Sequence, residues 1–105
     1  MAATDQDAKV YQKEDRTLRF TISGYDPTAA SEIIFAVETL SIEKTLSASG
    51  SDVTAVDSST IDVKLTETDL DQSIGKYGYR LWIRDSSGND VVVAAGKMTI
   101  DSGYR

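Results

Sequence analysis

The sequence predicts an all-β protein, folded as a single antiparallel β-sandwich of about seven strands. Three observations carry this. Apolar residues recur at every second position in "RTLRFTIS", "TIDVKLTE" and "GKYGYRLWIR", which is the period of a half-buried strand. Turn-forming Gly, Asp, Ser and Asn interrupt that pattern at the short intervals typical of sandwich strands. At 105 residues the chain has room for one domain with a core of its own.

The elements follow in order. Residues 1–14 are polar, with Val10 and Tyr11 as the only anchors. They read as a flexible N-terminal arm, idle or ordered against a neighbouring subunit. The sandwich is expected over 15–101, with 102–105 as a C-terminal tail. "RTLRFTIS" places Leu18, Phe20 and Ile22 on one face, and Gly24, Asp26 and Pro27 end it. "TAASEIIFAVETL" is ambiguous. As a helix, it aligns Ile33, Ile34, Val37 and Leu40 in a stripe, with Asp26 and Pro27 imitating an N-cap and first-turn pair. As a strand, it puts Ile33, Phe35 and Val37 on one face and Ile34 and Ala36 on the other. The strand is favoured because the centre is β-branched and aromatic. The continuous apolar run then suits a central strand covered on both faces.

"LSIEKTLSAS" alternates through Leu40, Ile42 and Leu46, "SGSD" is a turn, and "VTAV" is a short strand. "TIDVKLTE" points Ile61, Val63 and Leu65 inward. "TETDLDQSIG" reads as a polar corner with one helical turn capped by Thr68, and Leu70 and Ile74 plug the end of the core. A long hairpin closes the chain, with strands expected at 76–85 and 90–100 and a loop at 86–89. Tyr77, Tyr79, Leu81 and Ile83 share one face, of which Tyr79, Leu81 and Ile83 are expected inside, and Arg80, Trp82 and Arg84 share the other. Val91 and Val93 return inward, and Gly96 is a candidate bulge or point of close approach.

Composition excludes several function classes. There is no cysteine and no histidine. That removes disulfides, thiolate metal sites, the commonest general base and the commonest zinc ligand. The formal net charge is −6, with Asp outnumbering Glu twelve to five. The basic residues are scattered, which disfavours nucleic acid and anionic membrane surfaces as partners. Apolar runs such as "VVVAA" are far too short to span a bilayer. The start, "MAATDQDAKVYQKED", has neither the basic nor the apolar region of a signal peptide, so synthesis in a cytoplasm is expected.

No catalytic, cofactor or metal residue set emerges. Asp85 to Asp90 offers oxygen ligands at short spacing, yet lacks the glycine and bidentate glutamate of a calcium loop. It reads instead as a hairpin turn, with Gly88 and Asn89 supplying positive φ. Glu67, Asp69 and Asp71 are close in sequence, but glycoside hydrolysis needs two opposed carboxyls in a cleft, and a solvated corner is the better reading. The serines have no histidine to activate them. Arg80, Trp82 and Arg84 are the residue types enriched at interface hot spots, on one face of one strand. Three readings stand for them: a contact surface, a sheet face on which the arginine stems cover the indole, or a tryptophan that belongs to the core. Val10, Tyr11 and Tyr104, in the terminal segments, complete the candidate contact residues.

The order of signals resembles the small immunoglobulin-like domains of tailed-phage virion proteins, notably the N-terminal domain of the phage baseplate upper protein family. Four stretches carry the resemblance. They are "V-x-L-T-x-x-D" from Val63 to Asp69, "G-K-Y-G-Y-R-L" from Gly75 to Leu81, "D-S-S-G" from Asp85 to Gly88, and "G-K-M-T-I" from Gly96 to Ile100. It covers most of residues 16–100 and implies an immunoglobulin-like sandwich located in a virion. The family has no catalytic residues to transfer. The sequence ends at Arg105 without a fibre or receptor-binding region, so head decoration, connector and tail accessory roles stand beside the baseplate one. The expected function is structural and non-enzymatic, through self-association or docking to other virion proteins. A carbohydrate- or cell-surface-binding module is the alternative, presenting Trp82 with Tyr25 or Tyr104.

Overall fold

In the computed structural model, residues 4–5, 8–46 and 52–102 are described. They form nine strands: β1 (Thr4–Asp5), β2 (Ala8–Tyr11), β3 (Arg16–Thr21), β4 (Glu32–Val37), β5 (Ile42–Thr45), β6 (Val53–Asp57), β7 (Thr60–Leu65), β8 (Gly75–Arg84) and β9 (Asp90–Asp101). The seven expected strands are β3 to β9. The smaller sheet runs β3-β7-β6, and the larger runs β1-β9-β8-β4-β5 with β2 also paired to β9. That division matches the B-E-D and C-F-G strand groups of an immunoglobulin-like sandwich. No described helix is long and apolar enough to cross a membrane.

The two inner faces meet in a core centred on three aromatic rings. Phe35 lies 5.9 Å from Phe20 and 5.5 Å from Tyr79, and Phe20 lies 5.4 Å from Tyr79, all tilted. These are favourable separations for aromatic pairs. Leu18, Ile22, Ile33, Val37, Ile61, Val63, Leu65, Leu81, Ile83 and Val93 are buried around them as the alternation demands. Val91 is half-buried at the margin.

The ambiguous segment is a strand over Glu32–Val37, so the β-branched centre prevails. Asp26 and Pro27 do cap something: a single 3-10 turn, Pro27–Ala29, in which the Asp26 carboxylate accepts from the Thr28 N–H at 2.9 Å. β4 lies between β8 and β5, but only one of its faces is covered by the other sheet. Ile34 and Ala36 therefore sit half-buried on the outer face.

Several expectations need correction. Residues 8–11 are no free arm, because β2 pairs in parallel with β9, Val10 opposite Ile100. The sandwich is thus not purely antiparallel. A strand of four residues, with only Ala8 and Val10 turned inward, leaves too little period to read from sequence. The chain then reverses at Lys13, whose φ of 60° is left-handed. The bulge is at Val93 rather than Gly96: Leu81 opposes Ala94 while Trp82 opposes Val92. The extra residue shifts the inward phase, so Val93 and Ala94 are both buried, and Met98 and Ile100 follow in the new phase. The 66–70 corner contains no helix. Thr66 and Asp69 bond each other there, and Leu70 fills the core end while Ile74 stays 60% exposed. The hairpin loop has positive φ at Gly88 only, and Asn89 is not in that region. Most of the "SGSD" turn and of the 102–105 tail, with Tyr104, lies outside the described residues.

Candidate functional site

The outer face of the larger sheet is where the sequence candidates converge. Register fixes its layout. Thr45, Ile34, Trp82 and Val92 stand abreast across β5, β4, β8 and β9. All four are half-buried; Ile34, Trp82 and Val92 form an apolar rib, ended by Thr45, on a face that no other layer of the described residues covers. The neighbouring row reads Glu43, Ala36, Arg80 and Ala95. Two shallow depressions flank the indole. One is lined by Ala36, Glu38, Gly78, Arg80 and Trp82, the other by Ile34, Ala36, Glu43, Trp82 and Asp90. Gly78 leaves room beside the ring, since a Cβ added there would meet nothing within 4 Å.

Charge rims this rib. Arg84 forms a two-bonded pair with Asp90, Nε to Oδ1 at 2.8 Å. The pair holds the Arg84 guanidinium above and the Asp90 carboxyl below its ordinary pKa. Arg80, Glu38 and Glu43, by contrast, enter no ion pair among the described residues.

Of the six candidate contact residues, Arg80 and Trp82 lie together at the centre. Arg84 stands on the same face at the hairpin end, engaged with Asp90. Val10 is excluded as a contact residue because it is fully buried. Tyr11 sits at the far edge of the sheet, 39% exposed, with the Lys9 ammonium 5.5 Å from its ring centre. Tyr104 lies outside the described residues. Sequence reading missed Ile34, Ala36 and Val92 as parts of this face. The available signal is the second apolar phase of "EIIFAV", which suits a covered layer equally well.

The acidic stretches have structural roles. Asp85 accepts from the Ser87 N–H at 2.8 Å and the Asn89 N–H at 3.0 Å. Bonding from Asn89 above all, then Ser87, holds its carboxyl below the ordinary range against a burial effect that raises it. Asp69 accepts from Lys44 at 2.8 Å and from Thr66, while Lys44 also reaches Asp52 at 3.1 Å. This cluster ties β5 of the larger sheet to the start of β6 and to the 66–70 corner. Burial pushes the Asp69 carboxyl up, but the Lys44 and Thr66 bonds outweigh it and the net shift is downward. A catalytic acid needs the opposite shift. Among the described residues no group of three or more acidic side chains is placed to hold a metal ion.

No protein-family model and no curated protein sequence matches the chain. Solved structures do. CopC from Methylosinus trichosporium OB3b is 15% identical with a TM-score of 0.50, over 100% of this chain and 89% of that one. A candidate glycoside hydrolase from Bacteroides vulgatus is 14% identical with a TM-score of 0.48. It matches 93% of this chain but only 17% of its own length. The first Ig-like domain of human CD48 antigen is 14% identical with a TM-score of 0.44, over 98% and 85%. At such identities the likeness is one of fold.

Proposed function

We propose that the chain is a non-enzymatic structural protein of a tailed-phage virion. It acts by docking to copies of itself or to other virion proteins, through the outer face of the larger sheet. The virion reading rests on the sequence resemblance over residues 16–100. The docking reading rests on one observation: a half-buried Trp82 in an apolar rib with Ile34 and Val92, on a sheet face that the second layer does not cover. A tryptophan framed by arginine and small apolar residues is the composition of an interface hot spot. A carbohydrate module would need a second aromatic beside Trp82. Tyr25 is packed against the core instead and lines neither depression.

The test compares the full chain with Trp82→Ala by light scattering and by co-sedimentation with purified particles of the encoding phage. The wild type should associate or co-sediment, and the variant should do so at least ~10-fold more weakly. Saturable oligosaccharide binding that changes the Trp82 emission, with neither association nor particle binding, would overturn the reading in favour of the glycan one.

A further inference from the structure

Register on the outer face places opposite charges symmetrically about β4. Arg80 on β8 and Glu43 on β5 both neighbour Ala36, one on each side. They are two strand spacings apart, about 9.5 Å between backbones, and they do not pair with each other. Consider a two-fold axis lying in the face along β4. It exchanges the two sides of that strand between copies. Arg80 of one copy then stands over Glu43 of the other, and the same contact forms again in reverse. Ile34 meets Ile34, Ala36 meets Ala36, and each Trp82 lies over the partner's Thr45, its counterpart in the same row; at the end of the strand Glu32 meets Glu32, each with Arg84 of its own copy abreast of it on β8.

We propose that two copies of this chain dimerise face to face about that axis, with reciprocal Arg80–Glu43 pairs flanking a shared Trp82–Ile34 seam. The proposal rests on the docking reading and names its partner as a second copy. Three observations on this face support it. The two charges have no ion-pair partner among the described residues of their own copy. Their positions are related by the symmetry that a closed dimer requires. The seam between them is apolar and shallow, as two sheets packed in alignment about 10 Å apart demand. The size also sets the strength. Four strands of about six residues give a flat area of roughly 20 × 20 Å per copy. That total of roughly 800 Å² lies below the ~1,200–2,000 Å² of stable interfaces, so the dimer is a weak and transient one.

The experiment uses charge reversal on the full chain, read by sedimentation velocity from 5 µM to 1 mM at low salt. Arg80→Glu and Glu43→Arg should each weaken the homodimer at least ~10-fold, because each opposes like charges twice. Mixed in equal amounts, the two variants should form a heterodimer within ~3-fold of the wild-type affinity, because both contacts become Glu against Arg. Circular dichroism melts confirm that each variant is folded. A wild type that is monomeric at 1 mM sinks the dimer. So does a dimer indifferent to both reversals, or a mixture that fails to associate. In these cases, particle binding that Trp82→Ala still abolishes would leave the docking reading standing and remove only the two-fold pairing.

Discussion

Truncating Phe35 tests the core on which every strand converges. Its ring is fully buried and touches both other members of the aromatic cluster, at 5.9 and 5.5 Å. Phe35→Ala removes the ring's transfer free energy and leaves a cavity between two sheets that cannot close easily, so a loss of about 3–5 kcal/mol is expected. A domain of this length has about 5–15 kcal/mol to lose. The midpoint of thermal unfolding should fall by roughly 4–8 °C for each kcal/mol, so 12 °C is about the least expected shift. Phe35→Leu separates the contributions. It keeps most of the apolar volume but forfeits two aromatic pairs, each about 0.5–1.5 kcal/mol, and should cost about 1–3 kcal/mol. Equilibrium urea unfolding followed by far-ultraviolet circular dichroism measures both. The fluorescence of Trp82 supplies an independent probe, since it is the only tryptophan and lies outside the core. A Phe35→Ala cost below about 1.5 kcal/mol, with an unchanged urea slope, would show that the ring is not enclosed as described.

The Lys44 cluster predicts an acid dependence. The Asp69 carboxyl is held down in the folded state, so its stabilisation is present above the unfolded pKa of about 3.9 and is lost as pH falls through the lower folded value. The stability gap between wild type and Asp69→Asn should therefore narrow below about pH 4; a gap that stays constant from pH 7 to 2.5 refutes it. The N-terminal strand predicts a stability effect where a free arm predicts none. Val10→Ala should cost about 1–3 kcal/mol, because the side chain is fully buried, and hydrogen exchange along β9 should accelerate with it. A change below about 0.3 kcal/mol would restore the arm reading.

The seven strands from β3 to β9 were legible because each carries at least two apolar residues in phase, or turn residues at both ends. The aromatic cluster was legible for the same reason: Phe20, Phe35 and Tyr79 each sit in an unbroken alternation. Failures occurred where one residue decides the outcome. Val10 is the single fully buried residue of a strand that exists only because β9 offers a free edge, and no local period announces that. The bulge at Val93 changes the inward phase within a run of five apolar residues, where alternation carries no information. The sequence therefore announces neither Val92 on the Trp82 face nor Ala94 and Met98 in the core. Ile34 and Ala36 were correctly placed opposite Phe35, but whether a second layer covers them is a matter of topology. That Trp82 lies on an outer face rather than in the core follows from β4 having one covered face, which the sequence does not state.

The pairing of β2 with β9 has a mechanical consequence. The first and last described strands of the chain lie side by side and run in the same direction. Tension applied at the two chain ends pulls parallel neighbours past each other along their length. Every hydrogen bond of that ladder is then loaded at once in shear, instead of being opened one at a time from an end. Forced unfolding is governed by the barrier to the first rupture, and a shear-loaded ladder places that barrier at the clamp between the two ends. A chain held by its ends in an assembly under load would resist extension through a four-residue strand of which only Val10 is fully buried.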